Sequence, residues 1–310
     1  MISGKTKFIY IFSLCLISFS CRGNTALIKN ANAGVFIKRQ LSYYCPALKK
    51  SHGDTAVYVL DSGKPGARML LIGGTHGNEI AGIRAAELFA KYANIESGTV
   101  IVIPALNKSG VLAGSRLVQK KHQGGIDPEK YSPPGGTSEY PGIEQRNINR
   151  SYPGSENSGL AQKVAYAVMR LLVSENIDIA IDLHEAAPGS DLAWNIVSNP
   201  KNVHIAALAV IDLAETDILM HLDSSPADME GLSHKEWGDR TKAMSFLIET
   251  VNPAQGLNPS LELQNDPQYA LERRAAIHLE TVRFLVSLCN EELGAPLFYS
   301  GIPRYSRQYQ

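Results

Sequence analysis

Two short segments hold the residue types that hydrolytic metal chemistry needs. In GGTHGNE, His76 and Glu79 stand three residues apart, a spacing that brings an imidazole and a carboxylate to one side of a helical turn. The paired glycines before them let the backbone turn sharply as the next helix opens. Catalytic zinc generally takes three protein ligands, a mixture of His and Glu, and leaves a fourth position open. The other histidines are His52, His122, His184, His204, His221, His234 and His278. Only His184 ends a continuous apolar run, IDIAIDLHE, so it is the expected third ligand. His204 and His278 fall in helical patterns, which predicts partial exposure or a capping role. His122 lies in a long irregular stretch and is a candidate substrate contact.

Hydrolysis at zinc also needs a carboxylate that takes a proton from water and passes it to the leaving amine. Glu249 closes the apolar run that begins at Met244, and its surroundings SFLIET offer no salt-bridge partner. The competing Glu185 is next to His184, so in a strand it points to the opposite face. It then reads as a surface carboxylate or one lying behind the ligands. A third segment, RNINRSYPG, carries Asn149 and Arg150 ahead of a Pro-Gly stop. A guanidinium is the group suited to bidentate recognition of a substrate carboxylate.

These residues must be positioned by a sheet. Apolar strand-like runs occur at Ala56–Leu60, Met69–Ile72, Val100–Ile103, Ile177–Leu183, Leu192–Val197 and Met244–Glu249, alternating with helical patterns. Between the second and third runs, Ala81, Ala85, Leu88, Phe89 and Tyr92 share one helical face, while Arg84, Glu87 and Lys91 share the other. A crossover helix there implies parallel strands. Further helices are expected over Leu160–Leu172 and Pro267–Leu288. The expected fold class is α/β: a single domain with a mostly parallel twisted sheet flanked by helices. The stretch Lys120–Gln145, rich in Gly and Pro and lacking an apolar period, is expected to form a rim over the metal.

Thirty Lys plus Arg balance thirty Asp plus Glu, so no basic excess points to nucleic acid. At the N-terminus, Lys5 and Lys7 precede a short apolar run, Phe8–Phe19, followed by Ser20 and Cys21. That pattern reads as a signal peptide over residues 1–20 and an exported chain, periplasmic or at the cell surface. Cys21 is either the lipidated first residue of a membrane-tethered lipoprotein or an ordinary free cysteine. Residues 21–34 read as a tether and residues 35–310 as the hydrolase domain. An oxidising compartment would favour pairing Cys45 with Cys289; the alternative is two buried free thiols.

Taken in order, GGTHGNE, NRSYPG, DLHE and IET resemble the zinc carboxypeptidase superfamily, most closely its succinylglutamate desuccinylase and aspartoacylase branch. The resemblance implies one zinc per chain on His76, Glu79 and His184, with Glu249 as general base and acid. It also implies that Asn149 and Arg150 bind the substrate carboxylate and that Arg116 polarises the scissile carbonyl, with Arg146 as the runner-up. The implied substrate is an N-acyl amino acid or the C-terminal residue of a peptide. A non-catalytic, exported ligand-binding lipoprotein is the alternative. Two departures stand out. Asn147 replaces the aspartate that usually orients a zinc histidine in the family, and no Tyr lies between His184 and Glu249 to cap a substrate as in digestive carboxypeptidases.

Overall fold

Strands buried on both faces read as unbroken Val/Ile/Leu runs, and four such runs lie side by side in a computed structural model of the chain. The structure describes residues 28–30, 32, 34–119, 144–225, 229–256 and 261–305. Its strands are β1 (Val35–Gln40), β2 (Ala56–Asp61), β3 (Arg68–Gly73), β4 (Asn94–Ser97), β5 (Thr99–Ile103), β6 (Ile179–Ala186), β7 (Asn195–Ser198), β8 (His221–Ser224), β9 (Met244–Val251) and β10 (Phe298–Ser300). Eight form one sheet in the order β1-β2-β5-β3-β6-β9-β7-β8, and β10 pairs with β4 beside it. The central β5, β3, β6 and β9 are mutually parallel. Beyond them, β2 runs antiparallel to β5 and β7 antiparallel to β9.

The helices are α1 (Ile80–Tyr92), α2 (Lys108–Ala113), α3 (Leu160–Ser174), α4 (Val203–Ala214), α5 (Ser233–Arg240), α6 (Leu261–Asn265) and α7 (Leu271–Glu292). Strand alternation divides the core between the two faces of the sheet. Met69, Leu71, Ile181, Leu183 and Ile248 pack with Phe89, Leu213, Leu279 and Leu285 of α1, α4 and α7. Leu70, Ile72, Ile101 and Ala180 face the other way, onto Val164, Val168 and Leu172 of α3 and Trp237 of α5. The two faces therefore differ in what the strand ends present. Ala180, Asp182 and His184 belong to the α3/α5 face, and Glu185 to the α1/α7 face.

Cys45 and Cys289 are both free and buried. They lie in the two separate core clusters, so the expected disulfide is not formed and the free-thiol alternative holds. Within the expected tether, Ile28 packs against the core and the Asn30 side chain donates to the carbonyls of Ala90 and Ala93. The domain thus gathers in chain from ahead of Val35. The expected signal peptide, Cys21, His122 and nearly all of the 120–145 rim lie outside the described residues. No helix among the described residues is long and apolar enough to cross a membrane.

Candidate active site

The site lies where β3, β6 and β9 end. After β3 the chain turns through Gly74, whose φ of +66° suits glycine. At Gly77 a Cβ would meet the Gly110 backbone carbon at 2.1 Å, so only glycine lets this turn lie against α2. The turn delivers His76, and Glu79 then stands immediately ahead of α1. From β6, Thr75 and the turn are held by a Thr75 Oγ1 hydrogen bond to Asp182 Oδ1 at 2.7 Å. His184 and Glu249 are directly paired in the parallel register of β6 and β9, so their side chains emerge on one face at one level.

His76, Glu79 and His184 converge with ligand atoms within 4.8 Å of one another. The Nδ1 of His76 lies 2.8 Å from Glu79 Oε1, and the Nδ1 of His184 lies 2.9 Å from Glu79 Oε2 and 3.1 Å from His76 Nδ1. The outer ring nitrogens face other partners: His76 Nε2 lies 3.0 Å from Asn147 Oδ1, and His184 Nε2 lies 2.9 Å from Asp182 Oδ2. With Nε2 carrying the proton on each ring, both Nδ1 lone pairs point inward. Tetrahedral zinc with ligands at about 2.1 Å needs donors roughly 3.4 Å apart, a few tenths of an ångström wider than the spacing here. The donor set fits the ion.

Electrostatics follow from burial and crowding. Burial alone would push Glu79 up, but the imidazoles of His76 and His184 outweigh it and hold the carboxyl well below the usual range. Burial lowers His76 to about 4, with Arg116 adding to the effect. His184 goes the other way because Asp182 and Glu79 overcome its burial. Burial pushes Glu249 up to about 8, Glu79 and Asp182 acting in the same direction. Its Oε2 has no hydrogen-bond partner among the described residues.

Arg116 follows α2 and donates to Glu79 Oε1 at 2.6 Å. Its carbonyl accepts from Gly77 N and Asn107 Nδ2, which ties the Arg116 main chain to the turn that carries His76. The same Asn147 Oδ1 that faces His76 also accepts the N–H of Asn149. Asn149 is buried, with its Oδ1 taken by the Ser233 N–H at 2.7 Å. Arg150 donates to the Asn149 carbonyl at the edge of this group.

Among the other residues singled out, Glu185 is buried and ion-paired with Arg274, so it is no surface carboxylate. His278, expected to be exposed or capping, is fully buried in α7 and contacts Thr250 Oγ1 at 3.1 Å. His204 is exposed beside Glu292. Asp182 is the site residue that motif reading passed over. It stands two before His184, the spacing that puts both on one strand face.

Residues 65–252 match the succinylglutamate desuccinylase/aspartoacylase catalytic domain. The chain is 30% identical over 152 residues to an N-alpha-acetyl-L-2,4-diaminobutyric acid deacetylase of Halomonas elongata, a match covering 48% of this chain and 34% of that protein. Among solved structures, the fold is shared with the product-bound ectoine utilization protein EutE (DoeB) of Ruegeria pomeroyi (TM-score 0.52, 20% identity, 75% of this chain and 60% of that one). It is also shared with a metallo-carboxypeptidase of Burkholderia cenocepacia (TM-score 0.56, 12% identity, 86% and 67%). Tripeptide-bound Csd4 of Helicobacter pylori aligns as well (TM-score 0.54, 15% identity, 88% and 57%). The chain spans about a third of the Halomonas protein's length. With a single α/β domain of carboxypeptidase-like fold and a family match over more than half its length, this chain belongs to the succinylglutamate desuccinylase/aspartoacylase family.

Proposed function

We propose that the domain is a zinc-dependent hydrolase of amide bonds next to a carboxylate, acting on small N-acyl amino acids or on the C-terminal residue of short peptides. The observation that carries this is the inward convergence of two Nδ1 atoms and one carboxylate, with Asn147 Oδ1 bonded at the far nitrogen of His76 and the Asp182 carboxylate 2.9 Å from that of His184. Zinc at that point would polarise both a water and the scissile carbonyl. Glu249, across the strand pair from His184, takes the proton from the attacking water and returns it to the leaving nitrogen. A carboxyl with its affinity raised by burial suits both halves of that transfer. Arg116, against the ligand carboxylate, is placed to meet a carbonyl approaching the cluster, and Arg150 with Asn149 supplies the carboxylate clamp. The Halomonas deacetylase supports the first substrate class and tripeptide-bound Csd4 the second.

Metal analysis of the purified chain beside His76→Ala and His184→Ala, with assays on N-acyl amino acid and peptide libraries, tests this reading. The parent should hold close to one zinc and hydrolyse one of the two libraries; equal zinc in all three proteins would refute it. We also infer from the basic start and apolar run that the chain is exported and matures near Cys21. Mass spectrometry of the N-terminus after expression in a secreting host checks this, and an uncleaved Met1 would overturn it.

A further inference from the structure

Glu185 is the motif carboxylate that the hydrolytic chemistry leaves without a task. It follows His184 on β6 and points to the α1/α7 face. A buried ion pair costs desolvation that its Coulomb attraction does not reliably repay, so the Glu185–Arg274 pair is best understood by what it holds. Its Oε2 accepts the Ala81 N–H at 2.9 Å and the Asn252 Nδ2 at 3.2 Å. The same Asn252 amide donates to the Asn78 carbonyl at 3.1 Å. The main-chain N–H of Glu185 donates to Glu79 Oε2 at 3.2 Å. Main-chain groups on both sides of Glu79, and its own carboxylate, are therefore fixed from Glu185 and Asn252.

The position of Glu79 makes this consequential. It occupies the N-cap of α1 but makes no side-chain cap hydrogen bond. A Ser, Thr, Asp or Asn there turns its side-chain oxygen onto the N–H of the second or third helical residue; Glu79 leaves that place to another acceptor. The second helical residue is Ala81, and its N–H is already taken by Glu185. A carboxylate at that end is also favoured by the helix dipole. Arg274, anchored through Nε to the Tyr269 carbonyl at 2.8 Å, in turn holds Glu185.

We propose that Glu185, held by Arg274, caps α1 from the neighbouring strand in place of Glu79, and so leaves the Glu79 carboxylate turned toward His76 and His184 as a metal ligand. Glu185 and Arg274 are positioning residues that act through Glu79. The proposal rests on the metal reading above and assigns these residues a part in it.

Zinc affinity of the folded full chain, measured by competition with a chromophoric chelator, tests it, together with the visible spectrum of the cobalt-substituted protein. In Glu185→Leu with Arg274→Met no buried charge is left alone, but Ala81 loses its acceptor. Zinc should then bind about 10-fold to 100-fold more weakly, with altered cobalt bands and unchanged far-ultraviolet circular dichroism. Glu185→Gln with Arg274→Met restores an acceptor and should recover most of the affinity together with the parent's cobalt bands, which report the ligand geometry itself. Parent-like affinity and cobalt bands in the leucine double variant would overturn the proposal. Should that variant not fold, Asn252→Ala decides: several-fold weaker zinc supports the proposal, and undiminished affinity overturns it. A parent that binds no zinc overturns the metal reading itself, which keeps the two failures apart.

Discussion

The proposed metal half of the site hangs on strand ends and the turn after β3, whereas the proposed substrate half rides on connecting segments. His184 and Glu249 sit in register on adjacent central strands, and Glu79 is fixed through main-chain bonds on both sides. Arg116, by contrast, follows a six-residue helix and is held by two bonds to its carbonyl. Asn149 and Arg150 belong to a single short turn secured by Asn147 and Ser233. On the proposed reading, the chemistry is mounted on the central sheet and the recognition on loops, where sequence change costs the fold least. Substitutions in the first half should strike metal binding or turnover, and those in the second should strike affinity for substrate.

The sharpest break in that contrast should come at Glu249. Removing a general base typically costs about 10²-fold to 10⁴-fold in rate, so Glu249→Gln is expected to lose that much kcat with zinc content unchanged. Parallel metal analysis and steady-state kinetics decide it; parental turnover would place the base elsewhere. A smaller effect is expected in the recognition half. Arg150→Ala removes a charged hydrogen bond of roughly 1.5–3 kcal/mol, equivalent to about 10-fold to 150-fold, and this should appear mainly in KM. Arg116→Ala should instead lower kcat, because a group polarising the carbonyl acts chiefly in the transition state. Identical KM and kcat changes in the two variants would erase the division of labour.

The same division explains what was legible in one dimension. Each proposed metal ligand stands at the close of an apolar run or just after it, so pattern and chemistry coincide, and the β3-α1-β5 crossover could be read from its helical stripe. The edge strand β8, HLDS, is exposed throughout and carries no alternation to betray it. Helix α5, SHKEWGDR, has Trp237 as its one large buried apolar anchor, too little for a period. Asp182 was readable by its two-residue spacing from His184 but is submerged in an apolar strand. Arg274 had no such signal, since it stands next to Arg273 in a helix and only the packing of α7 against β6 and β9 turns it inward.

Asn147 probes how firmly the metal half depends on its outer contacts. An amide oxygen accepts from His76 with less charge behind it than a carboxylate would have, so Asn147→Asp should make His76 more basic and tighten zinc several-fold. Asn147→Ala removes the acceptor and should weaken zinc by about 10-fold, the lower end for such partners. The chelator competition reads both, and equal affinity across the three proteins would mean that His76 is oriented by the turn alone.

The smallest expected effect concerns the seam between the halves. His234 lies on the first turn of α5, beside the Ser233 N–H that anchors Asn149. It is fully buried, and neither ring nitrogen has a hydrogen-bond partner among the described residues. Burial lowers it from 6.5 to about 3; Asp182 pulls the other way, while His184, Arg150 and Lys235 reinforce the drop. Between those two values the unfolded chain binds a proton that the folded chain refuses. The His234 contribution to stability therefore falls as pH drops through 6.5 and goes on falling toward 3, by up to about 1.4 kcal/mol per pH unit for one proton. His278, lowered to about 3 by burial in the same way, contributes a second proton of the same sign. In His234→Leu, urea unfolding of the metal-free protein between pH 6 and 4 should lose close to one proton's worth of the parent's slope, while the shares of His278, His76 and the other site groups stay as they are. An unchanged slope would show that His234 already carries its proton inside the fold, and that the seam is wetter than its packing indicates.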